Sequence, residues 1–140
     1  MDVARLFSPP FTQFDNAAAP VLFDELVTLT GSKSIDWPLK VECCGAPLLG
    51  VNDKTSLELT AKKLADGKQA GADFICVACP YCHMQFDTVQ QMMATLPGAN
   101  HHLPSVLYPQ LIGLAMGIDS RSLGIHLNKI DIRSIESFLE

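Results

Sequence analysis

Proline and glycine cut this chain into short units in which an apolar extended run alternates with a helical one. That alternation limits the possible folds more than any other feature of the sequence. Pro20 suits a first helical turn, and Leu22, Leu26 and Leu29 recur at helical spacing before Gly31, predicting a helix over residues 20–30 with those leucines along one face. An extended run is predicted over 39–43, just past Pro38. Asn52 or Asp53 caps a second helix, with Leu57, Ala61 and Leu64 sharing a face and Gly67 and Gly71 ending it. Residues 74–78, Phe-Ile-Cys-Val-Ala, have the composition and length of a buried strand. A third helix starts near Tyr81, aligns Phe86, Val89, Met93 and Leu96, and closes at Pro97-Gly98. Ser105-Val106-Leu107-Tyr108 is the next candidate strand, and Pro109 opens a short helix through Leu111, Leu114 and Ala115 to Gly117. The pattern predicts an α/β layered fold, a short and mainly parallel sheet flanked by helices, in one domain over residues 1–140.

In open sheets of this kind ligands bind beyond the carboxyl ends of the strands, and both cysteine groups are expected there. Cys43-Cys44 would close the strand that begins at Leu39, and Cys79-Pro80-Tyr81-Cys82 would join the 74–78 strand to the third helix. If those strands are neighbours, four thiols meet at one end of the sheet. A Cys-x-x-Cys on a first helical turn lies where unpaired amides and the helix dipole favour thiolate, which prepares it to bind metal or attack a disulfide. Adjacent cysteines serve one site only if the backbone turns between them, and Gly45 supplies that freedom while letting a bulky group approach the main chain. Cys76, between Ile75 and Val77, reads as a small buried hydrophobe. It also completes Cys76-x-x-Cys79-x-x-Cys82, but no Cys-Pro follows as a bacterial ferredoxin run requires.

Composition excludes several function classes. Ten basic against fifteen acidic residues give a net charge of −5 and no long basic run, which argues against nucleic acid as a partner. No apolar stretch approaches the ~18 residues that would span a bilayer. Five cysteines are an odd number and too sparse for a disulfide scaffold. The start, Met1-Asp2-Val3-Ala4-Arg5, lacks the basic and apolar regions of a secretory signal, so the expected location is cytoplasmic. No phosphate loop, GxGxxG, Ser/His/Asp order or carboxylate pair is present, and Glu42 beside the cysteines stands alone.

Cys43-Cys44-Gly45 followed by Cys79-x-x-Cys82 resembles the CCG cysteine-rich domain of the B-type subunit of heterodisulfide reductase and its relatives. Phe14-Asp15-Asn16 leading to Asp24-Glu25-Leu26, Gly71-Ala72-Asp73 ahead of Cys79-Pro80-Tyr81-Cys82-His83, and the run from Pro109 to Gly117 extend the likeness over nearly the whole chain. Members carry two such domains in tandem, and this sequence resembles the carboxyl-terminal one, leaving an N-terminal CCG repeat to the same or another chain. The resemblance implies an electron-transfer domain acting in disulfide and thiol chemistry. Cys43, Cys44, Cys79 and Cys82 would hold an iron–sulfur cluster of the non-cubane [4Fe–4S] type or, as an alternative, zinc. It implies partner subunits as well, one containing flavin and one ferredoxin-like. The family motif has a further Cys that would fall within residues 3–11, where this chain has none. Four thiolates suit tetrahedral zinc or a conventional cluster equally well.

Two other functions fit parts of the sequence. Cys79-Pro80-Tyr81-Cys82 also resembles the glutaredoxin active site, but too few residues separate it from Pro104 to build that fold, and Cys43-Cys44-Gly45 is left without a role. A zinc-stabilised assembly module would use the same four thiols without redox turnover. His83 is either a hydrogen-bond or proton donor to a sulfur or a solvent-facing helix residue. His101, His102 and His126 read as surface residues, Trp37 as packing at a strand entrance, Phe86 as core, and Met92 and Met93 as helix packing.

Overall fold

The computed structural model describes residues 15–16, 18–95, 102–132 and 135. Helix α1 is Leu22–Thr28, a 3-10 turn covers Ala46–Leu48, and helix α2 is Asp53–Gln69. Strand β1 (Ile75–Val77) leads into helix α3, which runs as Pro80–Met84, a π-helical turn over Gln85–Val89, and Gln90–Met93. Strand β2 (Ser105–Leu107) is followed by helix α4 (Tyr108–Ala115) and a 3-10 turn at Ile125–Leu127. The two strands pair in parallel with Ile75 opposite Ser105 and Val77 opposite Leu107, so α3 forms the crossover that parallel pairing demands. The layered α/β class is as expected.

Alternation along β1 sorts the interior into two cores. Ile75 and Val77 turn to one face, where they pack with Leu64 of α2, Phe86 of α3, Leu103, Cys44 and Cys82. Phe74 and Cys76 turn to the other, with Val27 of α1, Val106, Leu111 of α4, Ile125 and Ile132. Burying side chains of this size contributes about 1.5–3 kcal/mol each.

Several expectations change. Residues 39–43 form turns instead of a strand: the Lys40 amide bonds the Trp37 carbonyl, the Glu42 amide bonds the Leu39 carbonyl, and the Leu39 amide donates to Asp66 of α2 at 2.9 Å. With its polar groups satisfied by turns and a helix side chain, this stretch has no need of a sheet partner. The inner face of α1 is Phe23 and Val27, whereas Leu29 is 80% exposed and Leu26 is also exposed. On α2 the buried stripe is Ser56, Thr60, Lys63, Leu64 and Gly67, so of the expected apolar face only Leu64 is fully inside. Gly67 lies in the last turn of α2, where a side chain would press on Leu103 and Trp37. Asn52 caps α2 through the Thr55 amide at 3.2 Å, as expected. Tyr108 opens α4 instead of ending β2. Phe86, Val89 and Met93 are buried as expected, while Met92 is exposed. Phe14, Leu96, Pro97-Gly98 and His101 lie outside the described residues.

Candidate functional site

The buried polar stripe of α2 holds the loop that carries the first cysteine pair. Gly45 has φ +92°, and a Cβ there would stand 2.5 Å from the Ser56 carbonyl oxygen, so glycine is required because the helix backbone abuts it. What approaches the main chain at Gly45 is therefore α2, not an inorganic group as the sequence suggested. The Ser56 hydroxyl donates to the Gly45 carbonyl at 2.9 Å, and the Thr60 hydroxyl lies 3.0 Å from the Cys44 carbonyl. Gln85, fully buried on the π-helical turn of α3, donates its amide to both hydroxyls at 2.9 and 2.7 Å. A widened turn of this kind is common where a helix must aim a side chain at a functional region.

The Lys63 ammonium completes the clamp. It donates to the carbonyls of Lys40 at 2.9 Å and Glu42 at 2.5 Å and lies 5.4 Å from the centre of the Trp37 ring. Sequence reasoning missed Ser56, Thr60, Lys63 and Gln85. The available signal was an apolar-poor helix with Ser56, Thr60, Lys63 and Gly67 at helical spacing, a stripe that makes sense only if polar groups lie beneath it.

Across this clamp the two cysteine motifs meet. Cys44, 5% exposed, and Cys82 on the first turn of α3 are 3.2 Å apart at Sγ, although 38 positions separate them in sequence. Cys79 is the exposed N-cap residue of that helix, and Pro80 occupies its first position. Cys43 is half-buried and accepts a hydrogen bond from the Gly45 amide at 3.5 Å. Cys76 belongs to the other core, where burial pushes its thiol up to about 12. Among the described residues, no three His, Cys, Asp or Glu side chains already stand together at metal-binding distance. Cys44, Cys79 and Cys82 line a cavity of about 1000 Å³ that Phe23, Phe74 and Trp37 also line.

The Cys44–Cys82 pair shares one proton. Cys82 donates to Cys44, and this bond, against the opposing effect of burial and with help from the Ala46 amide and, more weakly, Lys63, lowers the Cys44 pKa from 9.0 to about 6. The same bond, with burial added, raises that of Cys82. Within the pair the shared hydrogen bond therefore favours the thiolate on Cys44 over Cys82, whereas the helix-start argument favoured Cys82. His83 is half-buried with Nδ1 3.1 Å from the Ser105 hydroxyl and a further hydrogen bond to Asn128, so the partners described for it are Ser105 of β2 and Asn128. Burial lowers its pKa, with Asp87 opposing. His102 and His126 are exposed, as expected.

No helix among the described residues is long and apolar enough to cross a membrane. The CCG cysteine-rich domain family model matches residues 10–87, which include both cysteine motifs. The chain is 45% identical over 114 residues to the B-type subunit of the ferredoxin/F(420)H(2)-dependent CoB-CoM heterodisulfide reductase of Methanosarcina acetivorans, covering 80% of this chain and 38% of that one. It is 44% identical over 115 residues to the B-type subunit of the ferredoxin:CoB-CoM heterodisulfide reductase of Methanosarcina mazei, with the same shares. A more distant relative, the 8-methylmenaquinol:fumarate reductase membrane anchor subunit of Wolinella succinogenes, is 25% identical over 118 residues, covering 84% of this chain and 42% of its own. The chain thus spans about two fifths of these relatives' length. With the match running through Cys43-Cys44-Gly45 and Cys79-x-x-Cys82, and with Cys44, Cys79 and Cys82 lining one cavity, the chain belongs to the CCG cysteine-rich domain family.

Proposed function

We propose that the 140 residues act as one electron-transfer unit of a heterodisulfide-reductase-like oxidoreductase, with Cys43, Cys44, Cys79 and Cys82 as ligands of a thiolate-bound centre. The contact of Cys44 with Cys82 carries this reading, because it joins the two motifs through their sulfurs. The donor set fits: four soft sulfur ligands, three of them lining one cavity and one, Cys44, with its pKa lowered to about 6. An iron–sulfur cluster, of the non-cubane [4Fe–4S] type by family resemblance, would supply single electrons to chemistry in which an S–S bond takes up two.

The chain's own contribution is to position and to exclude water. The clamp of Ser56, Thr60, Gln85 and Lys63 fixes the Cys43–Cys44 backbone, so neither cysteine must be ordered when a ligand arrives. Pro80 sets the entry of α3, presenting Cys79 to solvent and Cys82 inward. The apolar walls at Trp37, Val77 and Phe86 lower the local dielectric around the sulfurs. A flavin-containing subunit, a ferredoxin-like subunit and an N-terminal CCG repeat are the proposed partners. The acidic surface would meet basic patches on them. A cytoplasmic setting, which keeps thiols reduced, suits the five free cysteines.

The test is anaerobic purification followed by iron, sulfide and zinc determination per chain with visible and EPR spectra. Near-stoichiometric iron and sulfide with a paramagnetic signal on oxidation is the expected result. One zinc and a featureless spectrum would assign a structural module instead, since four thiolates suit that ion as well.

A further inference from the structure

Two lysines reach the loop that carries the first cysteine pair, and they are treated differently. Lys40 is paired with Asp24 at 2.8 Å and Asp36 at 3.4 Å. Lys63 is more deeply buried, at 7% exposure, yet forms no ion pair with a carboxylate among the described residues. Its hydrogen-bond partners are two uncharged carbonyls, and its other neighbour is an indole face. A buried ammonium left without an anion is costly, and proteins retain one where a charge compensates it. Lys63 lines the same cavity as Cys44, Cys79 and Cys82. Burial pushes its pKa down, and the charges that oppose this and favour its protonated form are those of Cys44, Cys82 and Cys43, with Glu42 weaker. Four thiolates around Zn²⁺, or around a [4Fe–4S]²⁺ core, leave a net negative centre in either case.

We infer that Lys63 is the buried counter-ion of the thiolate centre, a positioning residue that holds the Cys43–Cys44 loop by its carbonyls and compensates the centre's negative charge with its own. The inference rests on the four-cysteine ligand set proposed above. Lys63 then has two separable roles. As a clamp it fixes backbone, which any donor of suitable length can do. As a charge it stabilises the metal-bound thiolates and, most of all, the more negative reduced state of the centre, and so raises both metal affinity and reduction potential.

Anaerobic, reduced, metal-free protein titrated with Co²⁺, read by thiolate-to-cobalt absorption, measures the affinity, with far-UV circular dichroism monitoring the fold. Lys63→Met removes clamp and charge, Lys63→Gln keeps a donor but not the charge, and Lys63→Arg keeps the charge. Both neutral variants are expected to bind Co²⁺ at least about tenfold more weakly, and Lys63→Arg to recover most of the loss. After reconstitution with iron and sulfide, the neutral variants should show a more negative midpoint potential than wild type, and Lys63→Arg one close to it. Because Lys63→Met strips two carbonyls of their donor and can cost the fold, Lys63→Gln is the decisive variant. Wild-type affinity and potential in folded Lys63→Gln would overturn the counter-ion role and leave only the clamp. Failure of the wild-type protein itself to bind Co²⁺ would overturn the thiolate-centre assignment, and the counter-ion role with it.

Discussion

The two faces of the sheet hold the same residue type in opposite chemical states. On the face built from Val27, Val106, Leu111, Ile125 and Ile132, Cys76 is surrounded by hydrocarbon, and burial alone pushes its thiol up to about 12. On the face with Ile75, Leu64 and Phe86, Cys44 is also buried, yet its pKa is lowered to about 6, because Cys82 donates a hydrogen bond to it, helped by the Ala46 amide and, more weakly, Lys63. Burial therefore does not decide whether a cysteine is inert. What decides is whether burial comes with a donor and a cation. The thiol face achieves this through groups that a hydrocarbon core excludes: two hydroxyls, an amide and an ammonium, all directed at holding the backbone of residues 40–45.

The contrast is most exposed to test by exchanging the cysteines. Cys44→Ser should abolish stoichiometric iron or zinc, while Cys76→Val should leave metal content intact; equal loss in both would erase the distinction. A related comparison uses oxidation of the reduced, metal-free protein by diamide, which accepts the electrons and protons of two thiols. Peptide mapping should find Cys44 joined to Cys82, whose sulfurs already touch, in preference to a Cys79–Cys82 bridge. A dominant Cys79–Cys82 product would favour dithiol chemistry of the glutaredoxin kind.

Packing and polar support should separate next. Phe86→Ala, at 1% exposure, is expected to cost about 3–5 kcal/mol in urea unfolding. Thr60→Val removes the hydroxyl serving the Cys44 carbonyl and should cost about 1–3 kcal/mol and weaken metal retention, whereas Thr60→Ser should restore both. Measured in the same way, Cys76→Val should stay below about 1.5 kcal/mol, since it exchanges one small apolar group for another.

Titration gives a sign to check. The Cys44 pKa is depressed on folding from 9.0 to about 6, so its contribution to stability is complete above 9.0 and is lost as pH falls through about 6. Cys82 is raised, so its contribution holds below 9.0 and is lost as pH rises beyond that. The melting temperature of reduced, metal-free protein should climb between pH 6 and 9 and then decline. Cys44→Ser should flatten the climb, and a climb unchanged by that substitution would place the titrating group elsewhere.

Local chemistry along the chain was enough to specify the layered α/β class, the helices at 53–69 and 108–115, and the strand–CxxC–helix junction. Each depends on near neighbours: Asn52 capping, Pro80 and Pro109 at first turns, and β-branched runs between turn formers. Spacing and resemblance to a known family also linked Cys43-Cys44-Gly45 with Cys79-x-x-Cys82, and both fall within the residues that the family model matches. No strand forms at 39–43 because its backbone partners are Asp66 and Lys63, residues on a helix that comes later in the chain. The inner stripe of α2 escapes a local reading for the same reason. Ser56, Thr60 and Lys63 are polar and look solvent-facing until the fold lays the carbonyls of residues 40–45 against them. Which cysteine carries the negative charge likewise awaited folding, because a proton shared between Cys44 and Cys82 depends on a 3.2 Å contact between distant segments, and no spacing rule encodes that distance.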